Sequence, residues 1–136
     1  MKRSVMLTVT SLLLISLAMV HLAQDIVYGY EPGTVNNLLV VPIAVVWLYG
    51  TLVLAGRRSG YIITLLLSLF SLVVPLVHMR GKGAGLASRV AYHNGHFFFV
   101  WTLLAIGVLG LFSVILSAHG LWSLPWRRSR KSNIQT

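Results

Sequence analysis

The sequence has no cysteine and only two acidic residues, Asp25 and Glu31, among 136 positions. Without cysteine there is no disulfide framework, no thiol nucleophile, no thiolate-held zinc or iron–sulfur cluster and no CxxC redox relay. Two acids supply no second carboxylate pair, so a di-iron bundle site is excluded as well. Charge of either sign is scarce. Charged residues make up 10% of the chain against 57% hydrophobic ones, whereas a soluble domain carries about 25% charged residues. This is the composition of a membrane protein, and its length allows one domain over residues 1–136.

What charge there is has one sign, with 11 Lys and Arg giving a net charge of +9. A nucleic-acid reading would need a basic face on a soluble domain. Here the basic residues stand in short clusters between apolar runs, which suits topology and anionic headgroups. The expected partner is therefore a lipid bilayer, with no role for nucleic acid.

A hydrocarbon core of about 30 Å takes about 20 helical residues, and four apolar segments meet that length or nearly so. They run over residues 4–24, 37–56, 61–78 and 96–119. The fold class expected is an all-α four-transmembrane-helix bundle. Pro75 predicts a kink near the end of the third span. Residues 124–136 form a basic tail suited to anionic lipid.

The connectors set the orientation. Lys2 and Arg3, then Arg57 and Arg58, then Arg127, Arg128, Arg130 and Lys131 place eight basic residues on one side. Arg80, Lys82 and Arg89 lie on the other, with both acids. The positive-inside rule puts both termini in the cytoplasm of a bacterial-type plasma membrane. Tyr28, Tyr30 and Tyr92 then belong to the outer aromatic belt, and Tyr61, Trp122 and Trp126 to the inner one. The start also resembles a signal peptide cut after Ala18. Retention is the expectation, because the apolar run continues past that point and an even span count satisfies the charge rule.

At 100° per residue each span has one small or polar face. In the first, Thr10, Ser11, Ala18, His21 and Asp25 share an arc of about 100°, together with Leu7 and Leu14. In the third, Thr64, Ser68, Ser71, Pro75 and His78 fall within about 80°. Asn37, Ala44, Thr51 and Ala55 share a face of the second. His93, His96, Gly107 and Gly110 share one of the fourth. Lipid offers polar side chains no partner, so these faces point inward, where small residues let backbones approach.

Four of the five histidines belong at the outer end. His21 closes the first span, His78 closes the third, and His93 and His96 open the fourth. Only His119 lies at the inner end. Asp25 stands one helical turn after His21 and shares its face, with Gln24, Glu31 and Asn94 at the same level. His21, Asp25, His78, His93 and His96 are therefore the candidate ligands for a transition metal, zinc or iron, or for a haem held by two facing histidines. The pattern matches no metalloprotease signature, since "HNGH" is not HExxH. Glu31, Arg80, Lys82, Arg89 and Tyr92 are candidates for a supporting shell or for lipid headgroups. Lys82 sits between glycines, but GxxxxGK[ST] is absent and no strand precedes it, which excludes a phosphate loop.

Two function classes follow. One is a metal- or haem-binding oxidoreductase, or a metal-dependent enzyme, acting on a lipid-soluble substrate from the outer leaflet. The other is a non-catalytic accessory or assembly subunit, a homo-oligomer or the partner of a larger membrane complex, whose polar faces serve packing alone. A transporter would need ionisable groups at mid-membrane depth, and the spans offer only Ser, Thr and Gly there.

Overall fold

The computed structural model describes residues 3–80 and 96–124, which are helices joined by turns and by a short irregular stretch at residues 32–34. The helices are α1 (Arg3–Val27), α2 (Val40–Leu48), α3 (Arg58–Arg80) and α4 (His96–Ser123). A 3-10 turn, Val35–Leu39, leads into α2, and a π turn, Tyr49–Val53, follows it. Together these three pieces make one apolar segment of 19 residues. All four segments are long and apolar enough to cross a membrane, with mean hydropathies of 1.7 to 2.5. Each reaches a few residues beyond the expected span at one end or both, except that the second ends at Val53 rather than at residue 56.

Helix α4 is the centre of the assembly. It packs along both α3 and α1, while α2 touches its neighbours mainly through the π turn. The core is small: Leu14, Ile15, Trp47 and Ile106 form one cluster, and Phe99 and Leu103 another. Most large apolar side chains, Leu66 and Val108 among them, point outward. That arrangement is the one lipid requires. Hydroxyls close the interior instead. Ser11 bonds Thr51 at 2.8 Å, and Ser68 bonds Ser113 at 2.7 Å. Such interhelical bonds contribute only about 0.6 kcal/mol each in a bilayer, so close packing of small residues does most of the holding.

Glycine supplies that closeness at the corner where α3 begins and α4 ends. A Cβ on Gly60 would run into the backbone carbonyl of Leu54, and one on Gly120 into the Tyr61 ring. Tyr61 is consequently buried against α4 rather than set in an interfacial belt, which corrects its sequence assignment. The π turn corrects another. Leu54 N–H reaches back five residues to the Tyr49 carbonyl at 3.1 Å, and the helical register ends there. Thr51 stays buried, but Ala55 falls in the following turn and is exposed. Helix α3 continues through Pro75 to Arg80.

The C-terminal end of α1 fixes the geometry of the site. Gly29 has φ +72. Its N–H bonds the Ile26 carbonyl at 3.1 Å, and the Tyr30 N–H bonds the Asp25 carbonyl at 2.8 Å. This is the paired bonding of a Schellman stop, which needs a left-handed residue after the helix. It folds Tyr28 and Tyr30 back over Phe99, with ring centroids 6.0 and 5.2 Å from it.

Candidate metal centre

His21, Asp25 and His78 meet at one end of the bundle, where α1 and α3 both close, each offering one ligand atom within 4.8 Å of the others. Helix α1 supplies two of them because positions four apart share a face. Helix α3 brings the third from across the bundle. His21 is 2% exposed and Asp25 8%. Phe99 covers the imidazoles from α4, its ring 4.6 Å from His21 and 5.8 Å from His78.

The hydrogen bonds around the cluster favour one placement of its protons. The Thr102 hydroxyl has one hydrogen, and two acceptors surround it: Gln24 Oε1 at 2.7 Å and the Phe99 carbonyl at 2.8 Å. Its hydrogen is therefore committed. With Gln24 Oε1 and the Phe99 carbonyl as the acceptors, His21 Nδ1 at 3.2 Å takes the donor role toward the hydroxyl oxygen. On His78, Nδ1 lies 2.8 Å from the Val74 carbonyl, which can only accept. In the neutral state with hydrogen on Nδ1, each ring turns the lone pair of Nε2 toward Asp25.

In that state three acceptors converge. His78 Nε2 is 3.2 Å from Asp25 Oδ1. His21 Nε2 is 3.6 Å from Asp25 Oδ2, beyond hydrogen-bond length, and is buried with no partner. A proton shared between His78 and Asp25 satisfies one nitrogen and leaves the other orphaned. A cation between the three satisfies them all. Imidazoles whose Nδ1–H is held by a carbonyl or a hydroxyl, with Nε2 free, have the arrangement of metal-ligating histidines.

A cavity of about 300 Å³ opens from this cluster. His21, Asp25 and His78 lie at its polar end with Asn36 and Asn37, and Val40, Ile43, Ala44, Trp47, Phe70 and Ile106 form its walls.

The other candidate residues divide as follows. Glu31 is exposed, just beyond the end of α1. His96 opens α4 and Arg80 closes α3. His93, Lys82, Arg89 and Tyr92 lie outside the described residues. His119 is exposed toward the other end of α4. Of the face expected for α4, Gly110 is buried against Ser71 and Leu72 as its size implies, but that face leaves out Thr102. The fully buried residues Phe99, Ile106, Ser113 and Ser117 centre on an arc about 80° away. The recurrence of Thr102, Ser113 and Ser117 on that arc was the available signal.

Comparison with protein-family models, with curated proteins and with solved structures finds no match. Fold and site together define a class: an all-helical protein with four membrane-spanning-length helices and a buried His/Asp group able to hold a metal ion.

Proposed function

We propose that this chain is a membrane metalloprotein whose His21, Asp25 and His78 bind one zinc or ferrous ion. The observation that carries the reading is the orphaned Nε2 of His21, buried beside a carboxylate and a second imidazole lone pair. Closing on an ion requires the three atoms to draw in from within 4.8 Å to roughly 3.3 Å, the spacing set by bonds of about 2.0 Å. Two histidines and one carboxylate suit zinc with an open fourth position, or iron with open positions for substrate. A single ion is favoured over haem, since 300 Å³ holds roughly ten water-sized groups and no porphyrin.

The chemistry of the open position is that of a Lewis acid or a redox centre. With both termini in the cytoplasm, as the basic clusters favour, the site faces the outer leaflet of the plasma membrane. A lipid-soluble substrate then reaches it from the bilayer. Retention of the first span as part of a single domain is favoured too, because Ser11 and Leu14 are buried in the bundle and α1 carries two of the ligands.

Metal analysis and an absorption spectrum on detergent-purified protein, beside a His21→Ala/His78→Ala variant, test this. About one ion per chain is expected in the wild type and none in the variant. Wild-type protein that stays metal-free after loading with zinc or ferrous iron would leave the accessory-subunit reading. A finer test addresses the Nδ1 contact. Thr102→Val removes the hydroxyl that orients His21 and should weaken metal binding about 10- to 100-fold. Thr102→Ser should keep it, as read by competition with a chelating dye.

A further inference from the structure

We propose that the cavity beside the cluster binds a lipid-soluble carbonyl compound, head toward the metal site and apolar body between α2 and α3. The head's contact with the ion rests on the metal reading above; the cavity's affinity for the apolar body does not.

Three observations carry this. The cavity's walls are apolar along most of its length, and two wall residues, Ile43 and Phe70, are exposed on the lipid-facing surface. It therefore opens sideways into hydrocarbon, where an aqueous solute is scarce and a membrane-soluble one is concentrated. At the other end the polar groups favour an oxygen acceptor. Asn37 Oδ1 receives the Thr34 backbone N–H at 2.7 Å, which leaves the Asn37 amide hydrogens as donors at the cavity's head. A cation held by His21, Asp25 and His78 would add a second oxygen-seeking group within the same end. Finally, the volume of about 300 Å³ accepts roughly ten water-sized groups. That is a ring or a short acyl segment, with the remaining tail left in lipid. Pockets of this size that are mostly apolar, with a few convergent polar groups, are the usual form of small-molecule sites.

Two membrane compounds share this chemistry, a quinone ring and a fatty acid. The experiment separates them. A single-tryptophan protein retaining Trp47, with Trp101, Trp122 and Trp126 replaced by Phe, is titrated in nanodiscs with a short-tailed benzoquinone. Saturable quenching of Trp47 is expected. It should fall at least tenfold in apparent affinity in Ala44→Phe, which fills the cavity, while metal content stays at the parent level and shows that the fold is intact. Ile43→Trp at the rim, with emission followed by tail-brominated quencher lipid, serves if Ala44→Phe does not fold. Lauric acid that displaces the quinone only when metal is present identifies the carboxylate source. Quinone saturation without that displacement identifies the ring. Linear quenching that is equal in parent and Ala44→Phe is simple partitioning and overturns the proposal. Saturable binding in a protein that takes up no metal leaves the cavity inference standing and removes the metal reading alone.

Discussion

Adding zinc or ferrous iron to the metal-free protein should raise its unfolding midpoint by roughly 10–20 °C. A ligand present at a thousand times its dissociation constant adds about 4 kcal/mol to the folded state. For a chain of this length each kcal/mol is worth a few degrees. The effect is large because the ion gives His21 Nε2 a partner that the protein does not supply while bridging α1 to α3. His78→Ala takes away the only ligand from α3, so the bridge is lost and the metal-induced shift should disappear. Glu31→Gln, which alters an exposed carboxylate outside the cluster, should leave the shift intact. The same shift should shrink as the pH is lowered, because acid adds a proton to each Nε2 that must leave before metal binds. A wild-type midpoint that neither ion moves, in protein whose far-ultraviolet spectrum is helical, would remove the metal centre.

Much of this fold is legible in the sequence because lipid simplifies the rule. With no hydrophobic drive between helices, the polar and small residues of each span have only one place to go. Ser11, Thr64, Ser68 and Ser71 are buried as their periodicity implies. Two local departures from regular helix escape that arithmetic. The π turn after Leu48 adds a residue to one turn, so a constant 100° step carries Ala55 to the wrong side. Gly120 admits the Tyr61 ring into the bundle, which no property of the tyrosine itself announces. His21, Asp25 and His78 share one level because antiparallel spans of similar length align their ends, and that too can be read from spacing. The proton positions cannot. They depend on the Val74 carbonyl within α3 and on Thr102, which lies on an arc of α4 about 80° from the one that its histidines and glycines share. The cavity is equally a product of assembly, since it arises where α2 stands away from α1 and α3.

Asp25→Asn should abolish metal binding and yet make the metal-free protein more stable, by about 1–3 kcal/mol. The carboxylate is 8% exposed and faces two nitrogen lone pairs. Replacing it with an amide removes a buried charge and puts an N–H donor 3.2 Å from His78 Nε2, an acceptor that then gains its partner. Leaving a buried acceptor unsatisfied costs about 1–3 kcal/mol, which is the amount the new bond recovers. Sites that hold groups in mutual conflict for the sake of a ligand commonly become more stable when the conflict is mutated away. The opposing account makes Asp25 a structural partner of a His78 imidazolium. On that account the same substitution strips a buried charge of its counter-ion, and breaking such a pair destabilises by about 3–5 kcal/mol. The two accounts differ in sign, so thermal melts of chelator-treated wild type and Asp25→Asn at one pH decide between them. A higher midpoint with no response to zinc assigns the cluster to metal. A lower one assigns Asp25 to the scaffold.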